Sequence, residues 1–512
     1  MWDTGISGLL GGLLVAVEPI NLFICFIGVV LGTLVGVLPG VGPVVTISLL
    51  LPLTFGMEPV TALIMLAGIY YGAQYGGSTT AILLKLPGET AAVLTCLDGN
   101  QLARNGRAGA ALGMSAISSF VAGTIGTLAV VFFAPLLVSI ALDFGPAENV
   151  SLMLLGLTAA VMVAQGPSLP AVGMLVAGIL LGTIGTDTST GIARYHFGIP
   201  ELRDGVNFVV IAMGIYGFGE IIANLEEGLK QEKLPTARIT NIYPTRDDFR
   251  RSWKAILRGS FIGSAVGFLP GLGTSAGAFA AYTVEKKVSA HPELFGTGVI
   301  EGVAAPEAAN NAAAQTNFIP LLTLGLPSGA IMALMAGAMM IHGVVPGPAV
   351  MTTRPELFWG LIASMFVGNL MLLFLNLNLI RVWVKVLTIP YSILFPVIML
   401  LCAIGIYSLN NSTFDILLAA FFGLVGYIFI KLKLEPAPLL MGFVLGPMLE
   451  ENFRRTMTIA RGDLTIFISK PISAGLLAAT ALTIFFSLVL PRLRRTRHRA
   501  NFTNPKIEKT NA

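Results

Sequence analysis

From Ala108 to Leu142 the chain carries no Asp, Glu, Lys or Arg, and from Ala308 to Thr353 it again carries none. Between Pro19 and Leu84 the single charged residue is Glu58. Runs of this length cannot cover the surface of a soluble protein. Charged types make up 11% of the 512 residues, against about 25% in soluble domains, and mean hydropathy is +0.82. Lipid solvates apolar faces, so the chain reads as an all-α polytopic membrane protein.

Apolar stretches recur at 20–37, 43–56, 59–74, 108–141, 148–165, 168–186 and 206–224. They resume at 256–270, 272–284, 330–345, 357–380, 392–408, 413–430, 436–449 and 471–490. Several fall short of the roughly 20 residues that a full crossing needs. Short segments broken by Gly and Pro predict half-helices and re-entrant hairpins, which membranes tolerate only where protein or a watery cavity surrounds them.

One phrase is written twice. GTLVGVLPGVG occupies 32–42 and GSAVGFLPGLG occupies 263–273, with Gly, Val, Gly, Leu, Pro, Gly and Gly identical. The likeness extends outward. YGGSTTAILLKLPGE (75–89) lines up with QTNFIPLLTLGLPSG (315–329), and 97–123 lines up loosely with 341–368. Duplicated halves with broken helices are a feature of secondary transporters. The expected division is a first transmembrane repeat at 1–224, a basic linker at 225–258, a second repeat at 259–490 and a basic tail at 491–512.

Charge placement bears on orientation. Lys230 to Arg258 holds eight Lys/Arg against three acids, and Pro491 to Ala512 holds seven against one. Both read as juxtamembrane cytoplasmic segments rather than nucleic-acid patches. Arg104 and Arg107 lie in one connection, whereas its counterpart carries Arg354 beside Glu356. Asp143 and Glu148 lie in the next, whose counterpart carries Arg381 and Lys385. The sign preference flips between copies, as an inverted repeat requires. The basic tail fits that topology if the second half has one extra crossing, and 436–449 has no clear partner in the first half. No Lys or Arg precedes the first apolar run, which argues against a cleaved signal peptide.

Candidate chemistry clusters at the repeated phrases. Pro39 and Pro270 lack a backbone donor, and Gly40, Gly42, Gly271 and Gly273 relax backbone limits. Broken helices expose carbonyls suited to Na⁺ and N–H groups suited to anions. The plain alternative is a kink with close helix packing. GAQYGGSTT supplies Gln74, Ser78, Thr79 and Thr80, and NNAAAQTN supplies Asn310, Asn311, Gln315, Thr316 and Asn317. Such groups can serve a carboxylate, a cation or each other across helices. Lys85 is a functional candidate by its depth, or it snorkels, or it pairs with Glu89. Glu307 is a candidate cation ligand or proton site. Cys25, Cys96 and Cys402 show no metal or redox spacing and read as small buried hydrophobes. The four His residues are isolated, no phosphate-cradling GxxxxGK[ST] occurs, and no catalytic signature is visible.

GVLPGVGP, YYGAQYGGSTTAILLKLPGE, GFLPGLGTSAG, APEAANNAAAQTNFIPLLTLGLPSG and GPMLEENFRR together resemble the large membrane subunit of tripartite tricarboxylate transporters, the TctA family. The resemblance runs from about Gly5 to Leu490. It implies a bacterial inner-membrane permease of about a dozen helices. It also implies a periplasmic solute-binding protein and a small membrane subunit as partners, and a carboxylate such as citrate as substrate. Coupling would be to an ion gradient, usually Na⁺, and not to ATP. The presumed transport core maps to Pro39, Gly40, Ser78 to Thr80, Lys85, Pro270, Gly271, Asn310, Asn311, Gln315 to Asn317 and Pro327. The expectation is therefore an ion-coupled carboxylate importer and not an enzyme, with no cofactor besides Na⁺ or H⁺. A channel, or a transporter for another anion, is the rival.

Overall fold

The computed structural model describes residues 2–38, 41–164, 167–187, 190–226, 242–269, 273–386 and 391–485. Pro39, Gly40, Pro270, Gly271, part of the basic linker and the tail at 491–512 lie outside the described residues. The architecture is helical, with one small antiparallel pair, Gly185–Thr186 against Ala193–Arg194.

The first half opens with α1 (Trp2–Ala16), α2 (Pro19–Gly36), α3 (Pro43–Leu50) and α4 (Pro59–Leu84). Glycine fixes how α2 meets α4. A Cβ on Gly28 would run into the backbone of Met65, one on Gly32 into Ile69, and one on Gly36 into Ala73. Small residues every fourth position let two backbones touch, which is how helices associate where no hydrophobic force acts between them. Both residue series ascend, so α2 and α4 run parallel. The chain between them must therefore return, and α3 with the tight turn at Leu51–Thr54 does so. Helices α2 and α3 thus form a helical hairpin.

The same geometry recurs in α10 (Arg246–Gly267), α11 (Gly273–Val288), α12 (Glu301–Thr316) and α13 (Phe318–Leu324). Gly259, Gly263 and Gly267 lie against Ala305, Ala309 and Ala313. Adding 231 to 28, 32 and 36 gives the first three, and adding 240 to 65, 69 and 73 gives the second three. The caps match as well. Lys85 ends α4 at φ 59° and ψ 25°, and Gly325, 240 positions on, ends α13 at φ 69° and ψ 17°. The expected 258/259 boundary falls inside α10, whose start is set by a capping box between Thr245 and Asp248.

Between these units run α5 (Val93–Leu102), α6 (Ala108–Ala141), α7 (Pro146–Val163), α8 (Ser168–Gly182) and α9 (Phe208–Glu226). After them come α14 (Ala330–Ile341), α15 (Pro355–Asn378), α16 (Ile380–Val386), α17 (Tyr391–Asn410), α18 (Thr413–Lys431), α19 (Ala437–Ile459) and α20 (Pro471–Ile484). Among the described residues five helical stretches are long and apolar enough to cross a membrane, and α4 and α12 are not among them. Yet every residue from Thr61 to Ile82 and from Gly302 to Thr316 is buried. Helices rich in amides and hydroxyls thus sit inside, while Leu417, Phe421, Leu424 and Ile428 face outward along α18.

Ion pairs collect at the helix ends. Arg107 Nη2 meets Asp248 at 2.6 Å, Arg251 meets Glu301 at 2.8 Å, and Arg258 meets Glu285 at 2.6 Å. The two basic connections singled out in the sequence are thus joined in space. Burial pushes the Asp248 carboxyl up, but the Arg107 guanidinium and the Thr245 hydroxyl and N–H outweigh it and hold it below the usual range. Elsewhere Lys470 meets Glu148 at 3.2 Å, Arg194 meets Glu450 at 2.9 Å, and Arg454 bridges Glu450 and Asp187.

The glycine stripes generate a test. Gly32→Val and Gly263→Val each force a side chain into a carbonyl that cannot move, and each should lower thermal stability by about 1–3 kcal/mol or more. Gly11→Ala, with nothing within 4 Å of its Cβ, should be silent. Thermal unfolding in detergent reads the difference. Valine variants as stable as the parent would show that the stripes are not tight contacts.

Candidate functional site

Helices α4 and α12 cross antiparallel near their centres. Ser78 meets Glu307, Gln74 meets Asn310, and Tyr70 and Tyr71 pack on Phe318 with ring centroids 6.4 and 6.2 Å away. The residue numbers descend on one helix as they ascend on the other.

Glu307 organises this crossing. It is 1% exposed, and its two oxygens accept hydrogen bonds from four hydroxyls on three helices. Ser78 of α4 donates to Oε2 at 2.7 Å, and Thr95 of α5 donates to Oε1 at 2.5 Å. Ser115 and Ser119 of α6 donate to Oε2 at 3.0 and 3.4 Å. One turn along α12, Asn311 donates to the Ser119 hydroxyl at 2.7 Å and to the Glu307 carbonyl at 3.1 Å. Among the described residues no Lys or Arg pairs with Glu307. A hydroxyl donates or accepts as its partner demands, so this ring satisfies either an ionised or a protonated carboxyl.

A second carboxyl lies beside the first. Glu89, in the segment after α4, accepts from Asn310 Nδ2 at 2.6 Å, and Asn310 Oδ1 faces Gln74 Nε2 at 3.5 Å. Several polar atoms near the crossing remain without partners: Gln74 Oε1, Gln315 Oε1, Asn317 Oδ1 and the Tyr70 and Tyr71 hydroxyls. The Tyr70 hydroxyl lies beside Gln74 and Asn317 but in hydrogen-bond geometry with neither. Buried polar atoms are rarely left unpaired, because each costs about 1–3 kcal/mol. Five of the unpartnered buried atoms lie on α4, α12 and the residue that follows α12.

The expected site residues divide accordingly. Ser78, Asn310, Asn311 and Glu307 belong to one hydrogen-bonded network, with Gln315 and Asn317 buried nearby and unsatisfied. The hydroxyls of Thr79, Thr80 and Thr316 are taken up by their own helices, on the carbonyls of Tyr75, Gly77 and Ala312. Such back-bonding is local and leaves no donor for a ligand. Lys85 forms no ion pair with Glu89; its side chain is exposed. Gly42 and Gly273 border the hairpin tips, and Gly273 has φ 63°. Pro39, Gly40, Pro270 and Gly271 lie outside the described residues.

The segment after α4 ties the tips together. Gly88 rests on Gly77, its carbonyl lies 2.9 Å from where a Gly42 Cβ would sit, and Thr90 hydrogen-bonds Ser275 of α11 at 2.5 Å. Sequence reasoning missed Thr95, Ser115 and Ser119, although the four-residue spacing of the two serines in an apolar helix was a usable signal. It also missed Asp98. That buried carboxylate accepts from the backbone N–H groups of Gly296, Gly298 and Val299 at 2.9–3.0 Å and from the Tyr282 hydroxyl at 2.9 Å. It pins α5 to the start of α12.

Removing Glu307 should be far worse than neutralising it. Glu307→Ala strands four hydroxyls and should abolish a monodisperse, folded protein. Glu307→Gln keeps an acceptor and a donor and should fold with a smaller loss, since bonds to a charged group exceed neutral ones by about 1 kcal/mol each. Size-exclusion profiles and melting temperatures report both; an alanine variant as stable as the parent would refute the network.

The residues 22–441 match the family model described as tripartite tricarboxylate transporter TctA family. An Agrobacterium vitis protein printed as an uncharacterized 52.8 kDa protein in the TAR-I ttuC' 3' region is 53% identical over 492 residues, covering 96% of this chain and 98% of the relative. A second A. vitis protein, printed as lying in the TAR-II ttuC' 3' region, is 55% identical over 235 residues, 46% of this chain and 97% of its own length. No solved structure matches. On the family match and on near end-to-end similarity to a relative, this chain belongs to the TctA family of tripartite tricarboxylate transporters.

Proposed function

We propose that the protein is the large permease subunit of a tripartite system. It imports an organic carboxylate across a bacterial inner membrane, drawing on an ion gradient, most simply Na⁺. A periplasmic solute-binding protein would deliver the solute, and a small membrane subunit would complete the complex. The observation that carries this reading is the antiparallel crossing of α4 and α12 with its unpaired neutral oxygens. Gln74 Oε1, Gln315 Oε1 and Asn317 Oδ1 are oxygen ligands of the kind that Na⁺ takes, and the amide N–H groups and hydroxyls there suit a carboxylate.

Two inverted repeats account for the geometry. A two-fold axis in the membrane plane sends each helix antiparallel to its copy, and α4 meets α12 in that sense. The peripheral packing agrees with it. Gly178 of α8 lies against Leu439 of α19, and Gly219 of α9 lies against Gly426 of α18. This pairing gives α19 a counterpart, α9, and leaves α20 as the extra crossing in place of 436–449. In this reading Arg107 and Asp248 face the cytoplasm.

The two copies differ in access. Leu86, after the first cap, is 50% exposed, and its equivalent Leu326 is 0% exposed. Pro346 closes over Gly325, with its oxygen 2.8 Å from where a Cβ would sit. In the proposed cycle this is the state open on the side of Arg107, and its partner state exchanges the two exposures.

Two expected outcomes check this reading. With a loaded binding protein present, an imposed Na⁺ gradient should drive uptake into sealed vesicles without ATP; a strict need for lumenal ATP would refute secondary transport. Single cysteines at Leu86 and Leu326, in a background lacking Cys25, Cys96 and Cys402, should label from opposite sides of the membrane. Labelling of both from the same side would end the inverted-repeat reading.

A further inference from the structure

The equivalent caps at Lys85 and Gly325 share a left-handed backbone but not a residue type. Such a cap is normally glycine, sometimes asparagine, because a Cβ there crowds the backbone. Gly325 obeys this rule at φ 69°; Lys85 departs from it at φ 59°, as Lys433 and Arg461 do just past α18 and α19. Strain held at one copy of a repeated feature and absent from the other asks for a compensating role of the side chain.

The surroundings say what that role is. Lys85 is the only Lys, Arg or His between Met1 and Ala103. It opens the segment that joins the two hairpin tips, through Gly88 at Gly42 and through Thr90 at Ser275. It is exposed, and among the described residues no carboxylate pairs with it. The two nearby carboxyls are held by neutral donors instead, Glu89 by Asn310 and Glu307 by its four hydroxyls.

We propose that Lys85 is the charge-selecting residue of the transport site, its ammonium receiving an anionic group of the substrate where the hairpin tips meet. This rests on the proposed carboxylate transport and adds to it a specificity residue present in one copy alone. In this state the second copy has no room for an equivalent side chain, because the Pro346 carbonyl lies over Gly325.

Backbone and charge make opposite demands, and substitution separates them. Lys85→Gly and Lys85→Asn suit the left-handed cap and remove the charge, whereas Lys85→Arg keeps the charge and the strain. Purified variants are melted with and without a panel of four- to six-carbon di- and tricarboxylates, and uptake is measured in vesicles with the binding protein. We expect the Gly and Asn variants to melt at or slightly above the parent without ligand and to lose the carboxylate-induced shift. Their half-saturating concentration should rise roughly ten- to hundredfold, the worth of one charged hydrogen bond. The Arg variant should keep both responses. Gly and Asn variants with the parent's shift and half-saturation would overturn the assignment while leaving carboxylate transport intact. A parent stabilised through Lys85 by carboxylates that it never takes up would overturn the transport reading and uphold the subsite. A parent that neither binds nor transports any of the panel would overturn both.

Discussion

A peptide group inside a bilayer has no water to bond, and this governs everything built into this chain. A helix interrupted at membrane depth exposes N–H and C=O groups, so it survives only when wrapped in other protein. Wrapping a backbone closely enough requires neighbours without side chains. Gly28, Gly32 and Gly36 meet that need for the first hairpin, and Gly259, Gly263 and Gly267 for the second. The small-residue stripes therefore come before the broken helices in the logic of the fold. Without them α2 could not approach α4, nor α10 approach α12, this closely.

Once the backbones touch, the usual distribution of polarity reverses. Lipid accepts the apolar faces of α18 and its like, and the interior takes α4 and α12 with their amides and hydroxyls. That interior needs a reason to be stable, and Glu307 supplies it. One carboxyl collecting hydroxyls from α4, α5 and α6 draws four helices to a point. Asp98 acts similarly toward the 296–299 backbone. Neither is balanced by a cation in direct contact, so both depend on neutral donors. A centre of neutral donors is less rigidly committed than an ion pair, which suits helices that must separate and re-form contacts.

Much of this was legible in the sequence because membrane insertion is decided by composition over long windows. The helical class, the short segments and the recurrence of the Gly-Pro phrase all follow from runs of residues. The start of α10 was legible too, since Thr245 and Asp248 spell a capping box; placing the boundary at 258/259 followed the charge run instead. The contacts around Glu307 could not be read from the sequence. Thr79, Thr80 and Thr316 looked like ligand donors, yet a hydroxyl in a helix can bond the carbonyl three or four residues back, and only coordinates tell which choice it makes. Thr95 and Asp98 were overlooked because their partners lie some 200 positions away in the chain. The left-handed backbone of Lys85 could not be read from LKLPGE alone.

The difference between copies carries the last step. Two segments of like sequence and like cap should have like surroundings if the halves were independent. They do not: the 85–90 segment lies against both hairpin tips and is partly open, while the 325–329 segment is sealed by Pro346. A duplicated architecture with a strict two-fold would be closed, or open, on both sides at once. Opening to one side at a time requires the equivalent segments to take unequal surroundings. A residue that acts in only one of them then need not be duplicated. On the proposed role of Lys85, lysine at 85 and glycine at 325 are what such a division of labour predicts, because a copy without the charge is free to relax its cap.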